Sequence, residues 1–206
     1  MPHPHSHPHG KVFDPGRRHM LFSPERMQRF PPAAFLAALA PSKGMRYADL
    51  GAGTGYYTLP VLEALGGEGS FTAVDLSEEM LGALRERLAT HPHGGSVRLV
   101  RSQHGEVALP PHSADAATLG NFLHELDAPV AYLREVRAAL VPGGRILVAD
   151  WDTAVPPPET EPVAGPPYAH RIPLARARAL LEEAGFEAVT EHPGFSDAYL
   201  LTARAP

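Results

Sequence analysis

The stretch that most constrains this chain is residues 46–75. It reads as a short strand ending at Asp49, the turn D-L-G-A-G-T-G over 49–55, a helix over about residues 57–65, and a second strand, F-T-A-V-D, ending at Asp75. Three glycines at alternate positions are poor material for the interior of a helix or strand, because glycine loses more conformational freedom on ordering than any other residue. Their place is the turn between the two elements. There Gly51, Gly53 and Gly55 let the backbone bend sharply and let a ligand come close to main-chain N–H groups at a helix N-terminus. An acid about twenty positions further on, at the tip of the next strand, is what a nucleotide site uses to hydrogen-bond a ribose, and Asp75 holds that position.

From residue 45 onward, short apolar runs alternate with helical ones, the signature of strand-helix-strand units and a parallel sheet. Ser77 is placed to cap a helix with Glu78 and Glu79 in its first turn and Met80, Leu81, Leu84 and Leu88 facing inward. Further strands are expected at 97–100, 114–119 and 145–150. A helix over about 128–140 presents Val130, Leu133, Val136 and Leu140 at helical spacing, and Pro142-Gly143-Gly144 is expected to stop it. Pro173 opens a last helix with Leu174, Ala177, Leu180 and Leu181 inward and Gly185 just past its end. Two closing strands, 187–191 and 198–204, joined through His192-Pro193-Gly194, suit an antiparallel pair at the sheet edge.

Ahead of this region the chain divides in two. Residues 1–12 form a His/Pro-rich tail, with His3, His5, His7 and His9 at alternate positions, which proline and polarity keep out of any core. Such a tail is expected to be disordered and to have incidental metal affinity. Residues 13–43 are expected to be a helical cap: Ser23-Pro24-Glu25 is a good helix start, and Pro31-Pro32 stops that helix and opens a second, running to Ala40. Such a cap would cover a sheet edge, close over a ligand at the glycine turn, or both. Residues 44–206 form the main domain. Within it, the proline-rich loop 155–167 is of a length more often used for binding than for filling.

A chain of 206 residues, 44% apolar and 20% charged, suits one soluble globular domain. With no cysteine it has no disulfide, no thiolate nucleophile and no cysteine-based zinc site. A net charge of −5 argues against nonspecific nucleic-acid binding, which depends on clustered Lys and Arg. There is no secretory signal pattern and no apolar run near twenty residues, so a cytoplasmic location and no membrane partner are expected. Oligomeric state is not legible.

The dinucleotide fingerprint is G-x-G-x-x-G, whereas this turn is G-x-G-x-G with an acid, Asp49, ahead of it. An acid there would repel a pyrophosphate but can fix an ammonium or sulfonium group, directly or through water. The chemistry points to S-adenosylmethionine. In this order, D-L-G-A-G-T-G, A-V-D-L-S-E-E-M, N-F-L-H-E-L and L-V-P-G-G-R-I-L-V-A-D-W resemble the class I S-adenosylmethionine-dependent methyltransferases. Their spacing is similar to the ubiquinone-biosynthesis-like, type 11 branch. The opening F-D-P, with S-P-E-R and P-P downstream, resembles a small prokaryotic subgroup of undefined substrate.

The resemblance implies an α/β, Rossmann-like, doubly wound seven-stranded sheet, mostly parallel, with an antiparallel edge hairpin and the N-terminal helical cap. It also implies roles. Asp49, Gly51, Ala52 and Gly53 would meet the methionine end of the cofactor, with Gly55 admitting the close turn. Asp75 would take the ribose hydroxyls, Leu76 and Met80 would lie near ribose or adenine, and Asn121 would border the methionine carboxylate and the transferring methyl. Residues 101–106, R-S-Q-H-G-E, depart from the family's adenine-binding pattern, leaving Ser102, Gln103 or His104 as the contact.

Methyl transfer needs a base only if the nucleophile must lose a proton. His124, about one helical turn beyond Asn121 at the end of the fourth strand, has the pKa range for it, although a histidine bonded to a neighbouring helix or loop is the plainer reading. Asp150 and Trp151 end the fifth strand at the same rim and are candidates for the acceptor pocket, as are Tyr56, Tyr57, Tyr168, His170 and Arg171. His104, His112, His124 and His170 share no tight ligand spacing, so no metal is assigned. The expected function is methyl transfer to a small molecule. The alternatives are a non-catalytic cofactor-binding or metal-handling protein on the same fold, or a nicotinamide-dependent oxidoreductase.

Overall fold

A computed structural model describes residues 13–154, 165–193, 195 and 197–206. The His/Pro-rich tail over 1–12 and most of the proline-rich loop, 155–164, lie outside the described residues. Strands β1 (Arg46–Leu50), β2 (Ser70–Asp75), β3 (Val97–Arg101), β4 (Ala114–Gly120), β5 (Leu140–Trp151), β6 (Glu187–His192) and β7 (Ala198–Arg204) form one seven-stranded sheet in the order β3-β2-β1-β4-β5-β7-β6. β1 to β5 pair in parallel, and β7 runs antiparallel between β5 and β6. The closing hairpin is therefore present, and β6 is the edge strand.

Side chains alternate across the sheet and both faces are buried, as a parallel sheet covered by helices requires. Leu50, Leu119, Ile146, Val148 and Leu201 face a core shared with α5 (Pro129–Ala139) and α6 (Leu174–Glu183). Tyr47, Phe71, Leu147, Ala149, Trp151 and Leu200 face the other core, against α2 (Pro32–Leu39), α3 (Thr58–Ala64) and α4 (Glu78–Ala89). Met80, Leu81, Leu84 and Leu88 are the buried face of α4, and the Ser77 hydroxyl caps it by accepting from the Met80 N–H at 3.3 Å.

The N-terminal segment forms a 3-10 turn over Pro15–Phe22, started by Asp14, then α1 (Pro24–Arg29) and α2. Ser23 caps α1 by accepting from the Arg26 N–H at 3.2 Å. Phe30, Phe35 and Leu39 are fully buried, each stabilising by about 1.5–3 kcal/mol, so this segment is part of the domain core. The carbonyl of Leu39 at the end of α2 accepts from Arg145 at 2.8 Å.

One element departs from the sequence expectation. Pro142-Gly143-Gly144 does not separate helix from strand but lies within β5. Leu140 leaves α5 with extended backbone and already pairs with Ala114, and the register shifts between Ala114 and Ala116. Gly143, at φ +75°, donates to the Ala205 carbonyl at 2.9 Å, and the Ala205 N–H donates to Gly144 at 2.8 Å. The glycines form an irregularity in β5 tied to Ala205, where glycine's freedom to adopt positive φ serves as well as in a turn.

At the C-terminal end of β4 the ring of Tyr57 packs against the backbone, where a Cβ on Gly120 would stand 2.2 Å from the ring. Gly120→Ala is therefore expected to lower stability by about 1–3 kcal/mol through overpacking, read as a lower urea midpoint at unchanged slope. An unchanged midpoint would mean that Tyr57 is not held there.

Candidate functional site

The strand order reverses at β1, whose neighbours are β2 on one side and β4 on the other. In an open parallel sheet this leaves a crevice outside the C-terminal ends of those strands. The glycine turn enters it from β1, with Gly51, Gly53 and Gly55 at φ +69°, +54° and +91°. At Gly51 the need is steric as well, since a Cβ would lie 2.9 Å from the Phe122 ring. The Ala52 N–H is bound to the Val74 carbonyl at 2.9 Å, so the turn hangs from the end of β2.

Asp75 links the two strand tips. One carboxylate oxygen accepts from the Gly53 N–H at 2.7 Å and the other from the Ser77 N–H at 2.8 Å. Burial raises its pKa while these backbone donors oppose the rise. Asp49 is buried on the α3 side and accepts from the Thr58 hydroxyl at 2.6 Å. Burial pushes its pKa up to about 7, against the Thr58 hydrogen bond and with the Asp75 charge adding to the rise.

Leu76 is half-buried and Met80 buried at the start of α4. The Ser102 N–H donates to the Asp75 carbonyl at 3.0 Å, which places Ser102 beside the acid. Gln103 is exposed, and its N–H donates to Glu106 at 2.8 Å. His104 is held by Asp127 at 3.0 Å. Of the three adenine candidates, Ser102 is the one tied directly to the Asp75 main chain.

After β4 the chain turns at Asn121, in the left-handed region at φ +58°, a conformation asparagine tolerates better than most residues. Its N–H donates to the Ala149 carbonyl at 2.6 Å. A 3-10 turn over Leu123–Glu125 then brings His124 onto Asp150. The His124 Nδ1–H donates to one Asp150 oxygen at 2.7 Å and the His124 main-chain N–H to the other at 3.0 Å. The Trp151 N–H donates to Asp150 at 2.8 Å as well, and Asp150 is wholly buried. In the neutral imidazole this leaves Nε2 with the lone pair.

Burial opposes charge on His124, but the Asp150 charge, its hydrogen bond and the Glu125 charge outweigh it and hold the pKa above the ordinary value. Glu125 stands 4.0 Å from Nε2 and accepts from the Phe13 N–H at 3.1 Å. Burial pushes its pKa up to about 7, against the attraction of His124.

Trp151 lies on the opposite face of the sheet from Asp150, as alternation along β5 dictates. Its indole meets Phe30 edge-on at 5.0 Å, with the Arg29 and Arg171 guanidinium groups 5.7 Å and 4.9 Å from it. Gly165 passes so close that a Cβ would lie 2.4 Å from the ring. Tyr168 bonds the Thr153 carbonyl, and His170 is half-buried in the same short turn. Trp151 is thus a wall of the N-terminal cap, while Asp150 belongs to the histidine.

The structure brings together residues the sequence kept apart. Arg26, on α1, donates to the Asn121 side-chain oxygen at 3.2 Å and lies over the Tyr56 ring at 4.8 Å. The Tyr56 hydroxyl donates to the Phe30 carbonyl at 2.7 Å. A Cβ on Gly53 would stand 3.5 Å from the Leu21 side chain, so Leu21 borders the glycine turn. Phe13 and Arg26 lie in the F-D-P and S-P-E-R motifs, which mark a resemblance but no role, and Thr58 carries no sequence pattern that marks it. Among the described residues no cluster of three or more His, Asp or Glu is arranged to hold a metal. His112 lies at the far end of β4, bound to the Leu140 carbonyl.

A raised histidine pKa stabilises the fold fully below the ordinary value near 6.5, and that contribution is lost as pH rises through the folded value. Asp150→Asn is expected to lower the His124 imidazole titration midpoint, followed by NMR, and to remove this alkaline loss. A midpoint that does not move would show that Asp150 does not govern the histidine.

Residues 48–146 match the model of the family described as "Methyltransferase domain". The chain is 32% identical over 105 residues to demethylmenaquinone methyltransferase of Staphylococcus aureus, covering 51% of this chain and 42% of that protein. It is 32% identical over 120 residues to the ubiquinone/menaquinone biosynthesis C-methyltransferase of Rhizobium leguminosarum, covering 57% and 46%. The match thus spans less than half the length of these relatives. A crystal structure of a SAM-dependent methyltransferase from Aquifex aeolicus superposes with a TM-score of 0.81 at 25% identity, over 95% of this chain and 100% of that one. Residues 48–146 thus carry a methyltransferase domain, and the sheet order and the acid-bounded glycine turn are similar to those of the class I S-adenosylmethionine-dependent methyltransferases.

Proposed function

We propose that this chain transfers the methyl group of S-adenosylmethionine to a small molecule whose nucleophilic atom becomes reactive on losing a proton. The observation that carries the reading is the His124–Asp150 pair, buried at the same strand ends as the glycine turn. The residues fit the cofactor. Asp75 accepts two backbone N–H bonds, but an ionised carboxylate has about four acceptor positions, so the ribose hydroxyls find room on it. Gly51, Ala52 and Gly53 offer a main-chain path free of side-chain bulk for the methionine end, and Asp49 supplies a negative charge toward its ammonium group. Leu76 and Met80 give apolar surface for ribose and adenine, with Ser102 at the adenine side and Gln103 beyond it. Asn121 borders the methionine end.

When bound, S-adenosylmethionine supplies a methyl carbon on positively charged sulfur; in-line attack breaks the C–S bond, and its electron pair stays on sulfur. The protein's part is alignment, exclusion of water and removal of the acceptor's proton. His124 Nε2 takes that proton, and Asp150 stabilises the imidazolium while fixing the tautomer. Phe13 and α1 close the crevice from above, and Trp151 stiffens that wall. A phenol or hydroquinone is the acceptor class that uses this arrangement best, since its ionisation activates both the oxygen and the adjacent ring carbon. The curated relatives, named for demethylmenaquinone and for ubiquinone/menaquinone C-methylation, support the same class.

Incubation with S-adenosylmethionine and a panel of phenols and hydroquinones should yield S-adenosylhomocysteine and a methylated ring compound. Asp75→Ala should weaken cofactor binding severely, and unchanged affinity in calorimetry would mean the ribose assignment is wrong.

A second expectation follows from Asp49, whose pKa of about 7 leaves it partly protonated at neutrality without a cation nearby. A bound ammonium favours the carboxylate, so S-adenosylmethionine should bind more tightly as pH rises from about 6 to about 8, by at most about tenfold per pH unit for one proton. Asp49→Asn should flatten that slope; equal slopes in the two proteins would remove Asp49 from the site.

A further inference from the structure

Glu125 is a buried acid beside the base that the mechanism above leaves unused. The 3-10 turn over Leu123–Glu125 seats it next to His124, with its Oε1 4.0 Å from the imidazole Nε2. The same oxygen accepts from the Phe13 main-chain N–H at 3.1 Å, across 112 positions of sequence. Among the described residues no other donor bonds this carboxylate.

The imidazole therefore lies between two acids that differ in kind. Asp150 holds Nδ1 and takes two main-chain N–H bonds as well, a supply of donors that suits a fixed negative charge. Glu125 has one donor for its whole carboxylate, and that donor comes from the N-terminal segment. The charges that face it are His124 on its own turn, Asp150 on β5 and Asp75 on β2, while Arg171 faces the imidazole and Arg26, on α1, faces Asp150. Of these, His124 favours the ionised form, and burial and both aspartates oppose it. A group so balanced changes charge when one contact changes.

We propose that Glu125 is a positioning residue that acts through His124: seated by the Phe13 N–H, its carboxylate faces the reacting Nε2 and holds the proton that Nε2 receives. The inference rests on the methyltransferase reading and on His124 as its base. The acceptor's bond to hydrogen breaks with its electron pair left on the acceptor, and an Nε2–H bond forms. That bond then breaks as a Glu125 O–H bond forms, and the imidazole is neutral again. The 4.0 Å gap closes by a small turn of the carboxylate or through one water. The acid gives up its proton to solvent when the crevice opens. Without the Phe13 N–H, burial keeps Glu125 protonated and unable to take a second proton. Seating of the N-terminal segment and readiness of the base are then one event.

NMR of the full chain, following the His124 imidazole and an isotope-labelled Glu125 carboxyl against pH, tests this without a known acceptor. Glu125→Gln keeps an oxygen for the Phe13 N–H but cannot ionise, so a merely structural role predicts no change. The expected result is a His124 midpoint lower by about one pH unit, the pull of one charge at 4.0 Å. Phe13→Pro removes the N–H and should move the midpoint in the same direction, whereas Phe13→Ala, which keeps it, should not. In the unaltered chain the Glu125 carboxyl should titrate in steps coupled to His124, a measurement that stands if a variant fails to fold. An unmoved midpoint in Glu125→Gln, or a Glu125 carboxyl that titrates near its ordinary value of about 4.3 and independently of His124, would overturn the proposal. Equal results for Phe13→Pro and Phe13→Ala would overturn the part played by the N-terminal segment. With any phenol that the unaltered protein methylates, Glu125→Gln should lower kcat by about 100-fold at an unchanged KM for S-adenosylmethionine, the low end for a positioned proton-transfer group. If the unaltered protein methylated none, the methyltransferase reading itself would fail, a result distinct from a failure of the Glu125–His124 contact in the titration.

Discussion

After β1 the chain winds outward through β2 to β3 and then returns to the other side of β1 for β4. Two loops that leave neighbouring strands in opposite directions cannot cover the gap between them, and every functional group described above borders that gap. The glycine turn and Asp75 come from one side, and Asn121, His124 and Asp150 from the other. Main-chain bonds hold the halves in register: the Ala52 N–H hangs on Val74, and the Asn121 N–H hangs on Ala149. The geometry of the site is therefore anchored in the sheet, with the loops as extensions of it.

Four acids lie around the crevice, and their surroundings differentiate them. Asp75 is satisfied by backbone amides, and Asp150 by an imidazole and two backbone amides. Asp49 accepts from the Thr58 hydroxyl and Glu125 from the Phe13 amide, and burial raises both to about 7. Desolvation disfavours a charged carboxylate unless donors replace the lost water. Acids supplied with several donors suit fixed negative positions, whereas sparsely supplied ones respond to a cation or to pH.

The N-terminal segment thereby changes character. Its apolar residues, Phe30, Phe35 and Leu39, fasten it to the sheet face that carries Trp151. Once fastened, it presents Phe13 to Glu125, Leu21 to Gly53 and Arg26 to Asn121. The packing that fastens this segment to the sheet also brings its polar groups to the edge of the crevice.

The alternation of strands and helices, the glycine turn, the Asp75 tip, the Ser77 cap and the buried stripe of α4 were all legible in the sequence, because each rests on interactions between residues close in the chain. Pro142-Gly143-Gly144 was misread as a stop, since local preference does not distinguish a turn from a bulge that a distant strand end, Ala205, completes. His124 and Asp150 were both visible as rim residues, but not as a bonded pair 26 positions apart. That Asp150 and Trp151 serve opposite faces follows from strand alternation only once β5 is known to reach Trp151. Arg26 stood in the S-P-E-R motif, but nothing in the motif told which residues it would meet. Chain-local chemistry determined the alternation of elements and the place of the glycine turn. The tertiary structure decided which side chains meet across the crevice, because burial and charge compensation arise only when distant segments pack together.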